Sequence, residues 1–163
     1  MIKNKIDESD DLPGYPDWLL NHTGSKILFI SDESPSVLHY GIQKNLIYTT
    51  FINIHQLNKL RNLYGSYLYD IIYLYNVFNY INEPYRIINK CLPLVRLGGI
   101  LSIFNKFGTY RKCKLEIINE ILYYSDNDNG IPEPVAWYLN NILRVIYWNQ
   151  TDTSIDIRYQ IIG

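Results

Sequence analysis

The chain is poor in several residue types at once: it has one Ala (Ala136), one Met (Met1), two Cys and three His. Cys91 and Cys113 lie 22 residues apart, with no Cys-x-x-Cys spacing and no His beside them. They read as buried or idle thiols and not as a metal site or a redox pair. His22, His39 and His55 are scattered, so neither a zinc set nor a nucleophile triad is marked, and no metal is expected. Charge is also scarce: 15 basic against 16 acidic residues leave a formal net charge of −1. A chain with so little excess charge has no global basic field, so tight binding to a phosphate backbone would need a local patch. No run approaches the 18 or so apolar residues of a membrane helix, and the start MIKNKIDESDD is too polar for a signal peptide. The expectation is a soluble, intracellular, cytoplasmic protein without a membrane partner.

What is present is apolar. Of 163 residues, 47% are hydrophobic and 15% aromatic, which suits one globular domain with a sizeable core and excludes a disordered chain. The 25 Ile, 17 Asn and 16 Tyr look like the codon bias of an A/T-rich genome. Ile and Tyr favour strands, which sharpens strand assignment.

Residues 1 to 25 read as an N-terminal arm. It opens on the acidic run Asp7, Glu8, Asp10, Asp11, and Trp18, Leu19 and Leu20 form a short helical turn that docks on the core. Residues 26 to 163 read as a single α/β domain. KILFI (26 to 30) is apolar on both faces and stopped by turn residues, as in a strand buried in a parallel sheet. Ser34-Pro35 starts a helix carrying Val37, Leu38 and Ile42. LIYTTFI (46 to 52) is a second strand, and IHQLNKLRNLYG a helix with Ile54, Leu57, Leu60 and Leu63 at helical spacing. YDIIYLY (69 to 75) is a third strand, followed by a helix between Pro84 and Pro93. GGILSIF (98 to 104) is a fourth strand. RKCKLEIINEILYY reads as a fourth helix, with Leu115, Ile118 and Leu122 on one face, and a short helix is expected around VAWYLNN. LRVIYWNQ and SIDIRYQII, joined by a short turn, form a hairpin. Strands alternating with helices predict a mostly parallel sheet covered on both faces and closed by an antiparallel hairpin.

The segment 69 to 104 resembles the second half of class I S-adenosylmethionine-dependent methyltransferases. Asp70 opens a strand, a helix follows Pro84, and Gly98-Gly99 turns into the next strand, in the family's order. Leu97 stands where the family usually has Pro. The terminal hairpin extends the resemblance to the end of the chain. It implies a Rossmann-like three-layer α/β/α sandwich that binds S-adenosylmethionine and transfers its methyl group to an acceptor the sequence does not identify. The cofactor half departs from the pattern. Phe29 replaces the acid of the first strand, and no glycine follows that strand before Gly41. Thr49 and Thr50 are the candidates where the second strand usually ends in an acid for the ribose. No strand is visible between the second helix and Tyr69, so one edge strand of the family is expected to be missing.

These departures favour a second reading, a catalytically inactive relative that keeps the fold as an interaction or assembly module. A third likeness, KILFISDESPSVL to the start of a receiver domain with Asp32-Glu33 as its acidic pair, fails chemically, because Tyr75 stands where the phosphoacceptor Asp is needed.

Under the methyltransferase reading the cofactor candidates are Ser31, Asp32, Glu33 and Ser34 after the first strand, Thr49 and Thr50 on the second, and Tyr75 and Asn76 after the third. All belong to the edge where open α/β sheets bind ligands. Asp32 and Glu33 bind a cation or an amine, or else are solvated acids at a helix N-terminus. Asn79 with Lys106, Arg111 and Lys112 are the substrate candidates. Lys106, Arg111 and Lys112, with Lys114, Phe107 and Tyr110, form the one stretch, residues 106 to 114, suited to an anionic acceptor or nucleic acid. No catalytic residue is marked, since an already reactive acceptor needs orientation and no base. LRVIYWNQ carries an apolar edge on which a second copy of the chain could pair.

Overall fold

The computed structural model describes residues 17–20, 22, 25–31, 49–63, 68–79, 84–107, 114–125, 133–135 and 141–163. A one-turn helix α1 (Asp17–Leu20) precedes β1 (Ile27–Ser31); β2 (Thr49–Asn53) runs into a 3₁₀ segment (Ile54–Leu63). Then follow β3 (Tyr69–Tyr75), a 3₁₀ turn (Val77–Asn79), α2 (Pro84–Cys91) and a second 3₁₀ turn (Leu92–Leu94). The rest is strand: β4 (Val95–Lys106), β5 (Lys114–Ile118), β6 (Ile121–Ser125), β7 (Glu133–Pro134), β8 (Leu143–Gln150) and β9 (Ser154–Ile161).

Six strands form the main sheet in the order β2-β1-β3-β4-β9-β8. β2, β1, β3 and β4 are parallel, β9 adds antiparallel to β4, and β8 pairs antiparallel with β9 at the far edge. All five residues of β1 are buried, as a continuous apolar run in the middle of a parallel sheet should be. Alternation sends side chains to two cores. On one face Leu28, Ile30, Ile72, Leu74, Leu101, Ile103 and Ile157 meet Ile54 and Leu60 of the 3₁₀ segment and Ile87, Ile88 and Cys91 of α2. On the other, Ile27, Phe29, Ile71, Tyr73 and Tyr75 meet Leu19 and Trp18 of α1. The expected docking turn is therefore present, with Leu19 fully buried. Burial of Cys91 pushes its thiol up to about 12, so it is an inert core residue.

Three local expectations are corrected. The helix over RKCKLEIINEILYY is instead, from Lys114 onward, the hairpin β5–β6, whose sheet with β7 packs on the first core. Its buried apolar residues are Leu115, Ile117, Leu122 and Tyr124, a period of two on each strand. The turn places Asn119 at φ 52 and Glu120 at φ 65, the paired left-handed geometry of a two-residue hairpin loop. The amide of Ile117 donates to Gln150 Oε1 at 2.7 Å and ties this sheet to β8. The second helix is 3₁₀, broken at Gln56, which the spacing of three through Ile54, Leu57, Leu60 and Leu63 matches better than 3.6. The fourth strand starts earlier than expected, at Val95. The helices expected after Ser34 and around residues 136 to 140 lie outside the described residues.

The Gly98-Gly99 turn sits in a bulge, where pairing jumps from Tyr69↔Val95 to Ile71↔Ile100. Between them Asp70 closes the amino edge of the sheet: Oδ2 accepts from the Lys26 amide at 2.8 Å and Oδ1 accepts from Arg96 Nε. Partial burial works to raise its carboxyl, but the Lys26 amide and the Arg96 guanidinium outweigh it and hold the group below its ordinary value. The Asp that opens this strand is thus a structural clamp at the edge away from the strands' carboxyl ends.

Candidate functional site

The order β2-β1-β3 makes the chain leave β1 in one direction and resume on its other side, so strand order reverses between β1 and β3. Open α/β sheets bind ligands in the crevice outside the carboxyl ends of the strands at such a reversal. Here that edge carries Ser31 on β1, Asn53 on β2, Tyr75 and Asn76 on and after β3, and Asn105 and Lys106 on β4.

The expected residues take unequal places around it. Ser31 ends β1 in register with Asn53 and is fully buried. Tyr75 is core: its ring stacks on Phe104 at 5.5 Å with an interplanar angle of 1°. Asn76 turns the chain at φ 55, a conformation Asn tolerates better than most residues. Its N–H donates to Phe104 O at 2.8 Å and its Oδ1 accepts the Lys106 N–H at 2.7 Å. Asn76 and Lys106, reached by separate arguments, are thereby neighbours. Asn79 ends the 3₁₀ turn beside them. The placement of Thr49 and Thr50 at the carboxyl end of the second strand is corrected, because Thr49 pairs with Ile27, the first residue of β1. Both threonines open β2, and its carboxyl end is Asn53. Asp32, Glu33, Ser34, Arg111 and Lys112 lie outside the described residues.

Two residues of the edge were not anticipated. Asn53, half-buried, uses Oδ1 to accept the His55 N–H at 2.8 Å, the local turn that starts the 3₁₀ segment. Asn105 is only 2% exposed; its Oδ1 accepts the Phe78 N–H at 3.1 Å and its Nδ2 donates to Lys106 O at 3.3 Å. It fixes the Val77–Asn79 turn over the end of β4. A lone amide closing the apolar run ILSIF was the available signal, because a buried polar group in a strand needs a partner.

The edge is therefore built of amides. Among the described residues it presents no carboxylate, and no group of three or more His, Cys, Asp or Glu could hold a metal. Such an edge can hydrogen-bond hydroxyls and heterocycle nitrogens, and can orient a bound molecule.

No protein-family model matches the chain, and no curated protein matches its sequence. Solved structures do match in fold. An S-adenosylmethionine-dependent methyltransferase from Mesorhizobium loti is 12% identical with a TM-score of 0.53, over 91% of this chain and 99% of that one. A SAM-dependent methyltransferase from Aquifex aeolicus is 14% identical with a TM-score of 0.48, over 99% and 100% of the two chains. A putative type 11 methyltransferase from Sulfolobus solfataricus is 15% identical, also at 0.48, over 90% and 91%. The likeness to the Mesorhizobium structure, with the sheet order and terminal hairpin, shows a Rossmann-like class I methyltransferase fold. No helix among the described residues is long and apolar enough to cross a membrane.

Proposed function

We propose that the chain is a methyltransferase-like protein that takes S-adenosylmethionine in the crevice at the carboxyl ends of β1, β2 and β3. The observation that carries this reading is the reversal of strand order between β1 and β3, in a sheet that ends in the antiparallel pair β9–β8. The residues present fit the neutral parts of that cofactor. Asn53 spends Oδ1 on its own chain and keeps Nδ2 to donate to a ribose hydroxyl. Asn76 keeps Nδ2 in the same way at the end of β3. Asp32, Glu33 and Ser34, which follow the buried Ser31 at the end of β1, are the group for the amino-acid end. When bound, the cofactor supplies an electrophilic methyl group; this chain's part is to orient the two reactants and keep water from them. Lys106, with Arg111 and Lys112, draws an anionic acceptor to the β4 side, and nucleic acid is the acceptor class this stretch would suit.

A specific observation favours a second reading, a cofactor-free interaction module. The amides of the edge are all engaged with the chain's own backbone, Asn53 with His55, Asn76 with Lys106 and Asn105 with Phe78, as in an edge built for stability. Calorimetry with S-adenosylmethionine and its demethylated product separates the two. Saturable heat supports the first reading; none at millimolar ligand refutes it and leaves the second. If heat appears, Asp32→Ala and Asn53→Ala weaken it, and unchanged affinity in both variants puts the ligand elsewhere.

A further inference from the structure

The two edges of the main sheet differ sharply. On β2, Thr50, Phe51 and Asn53 are half-buried and Ile52 is buried. On β8, Arg144 and all of Ile146 to Gln150 are exposed, including Ile146 at 46%, Tyr147 at 42% and Trp148 at 44%. Three consecutive large apolar residues on a strand do not share a face. Tyr147 is in register with Arg158 on one side of the sheet, and Trp148 with Ile157 on the other. A helix or a second sheet laid on one face would cover only one of them. A strand added in the plane covers both and also pairs the outward backbone groups of β8.

We propose that β8 is the seam of a homodimer, two copies pairing antiparallel along Leu143–Gln150 and continuing the six-stranded sheet from one protomer into the other. The segment is self-complementary. A two-fold axis between Ile146 and Tyr147 sets each of these against the other in the second copy, Val145 against Trp148, and Arg144 against Asn149. The first two are aliphatic–aromatic pairs of the kind that stabilise antiparallel strands, the third is polar, and no like charges are opposed. β8 has no Asp, Glu, Lys or Pro, the residues that usually blunt an edge. Its one charge, Arg144, is already bonded to Gln160 Oε1 of the neighbouring strand. The one blunting device is the bulge at Ile146, between Val145 and Tyr147, which falls at the axis itself. Tyr147 is held ready for contact, since the Arg158 guanidinium lies 3.9 Å from its ring centroid and 4.4 Å from that of Trp18. Asp156 fixes the guanidinium from the side at 3.0 Å. A net charge of −1 leaves little repulsion between copies, and a two-fold seam closes at two, so the sheet does not grow further.

Sedimentation velocity of the full chain, from low to high micromolar, tests this. The expected mass rises with concentration from 19.3 kDa to twice that value. Trp148→Lys, at a half-exposed position that belongs to neither core, returns the chain to monomer with its circular dichroism unchanged. The double variant Arg144→Cys/Asn149→Cys reads the register. The two positions are about 17 Å apart within one chain, beyond disulfide reach, but directly opposite across the seam. Mild oxidation is expected to give a covalent dimer that reduction reverses. A monomer at every concentration, an open series of higher masses, or a dimer indifferent to Trp148→Lys would each overturn the proposal. A dimer that fails to cross-link overturns its register.

Discussion

The Gly98-Gly99 turn carried part of the family resemblance, and its two glycines have different jobs that a pair of substitutions can separate. A Cβ on Gly99 would stand 2.8 Å from Asp70 O, 2.9 Å from Arg96 O and 2.9 Å from Val95 Cγ2. Real Cβ atoms do not approach that closely. Two of the three neighbours are backbone, held by the β3–β4 ladder and by the Asp70 clamp, so relief requires the bulge to open. Overpacking of this kind costs about 1–3 kcal/mol, and with backbone on two sides the upper part of that range applies. Gly98 differs: its φ is +82, but the nearest atom to a new Cβ is Arg96 Nη1 at 3.3 Å, the tip of a side chain that can swing away. Gly98→Ala therefore pays only the left-handed conformation, about 1 kcal/mol.

Thermal unfolding and urea titration give the comparison directly. For a chain of this size Gly99→Ala is expected to lower Tm by about 5–10 °C and Gly98→Ala by about 2–4 °C. The turn lies at the amino edge, five residues of β3 or about 17 Å from the crevice. Folded Gly99→Ala is thus expected to bind any crevice ligand as the parent does. A Gly99→Ala variant no less stable than Gly98→Ala would refute the packing argument. One of normal stability that loses ligand would show that the glycine serves the site and not the fold.

Other outcomes follow from single groups. Asn105→Ala leaves the buried Phe78 amide without its acceptor and is expected to cost about 1–3 kcal/mol, read from the shift in urea midpoint at constant slope. Cys91 in the native protein is expected to resist iodoacetamide at pH 8, where a thiol pushed up to about 12 is protonated as well as buried; peptide mass spectrometry showing its native-state labelling would contradict the core assignment. Because the Asp70 carboxyl is lowered in the folded state, its contribution is present above the ordinary carboxylate range and is lost as pH falls through the folded value. Asp70→Asn is therefore expected to be less stable near neutrality, by about 1 kcal/mol or less for the half-exposed Arg96 arm, with the gap to the parent closing in acid.

How far the sequence could be read depended on whether burial was two-sided or one-sided. β1, β3 and β4 lie in the sheet interior and are apolar on both faces, so their runs announced them, and the β8–β9 pair was marked by its short turn. The region 114 to 125 failed because Leu115, Ile118 and Leu122 mimic a helical stripe, while the true signal is Leu115 with Ile117 and Leu122 with Tyr124. The turn between them also hides itself: Asn-Glu at φ 52 and 65 replaces the Asn-Gly that would have announced a hairpin. In the site, position along a strand was the weak point. Composition drew attention to the hydroxyls of Thr49 and Thr50, but only the register with Ile27 reveals that β2 ends four residues later, at Asn53. Asn76 and Lys106 were each marked without any sign that one bonds the other, because pairing between strand ends belongs to the sheet and not to local pattern.

Asn53 offers the sharpest test of whether this edge binds a nucleoside. It ends the strand on which the family usually places an acid for the ribose hydroxyls, and an amide there bonds a hydroxyl without the added strength of charge. Asn53→Asp supplies an acid at little structural cost: one carboxylate oxygen replaces Oδ1 as acceptor for the His55 N–H, held at 2.8 Å, and the other takes the place of Nδ2. The gain from a neutral to a charge-assisted hydrogen bond, about 1–1.5 kcal/mol, corresponds to roughly tenfold tighter binding. Calorimetry of Asn53→Asp against the parent, with S-adenosylmethionine and its demethylated product, is expected to show that gain for both ligands, because they share the ribose. Equal or weaker affinity in a variant of unchanged stability would mean that no ribose lies at the end of β2. The amides of Asn53, Asn76 and Asn105 would then serve to hold the sheet edge together.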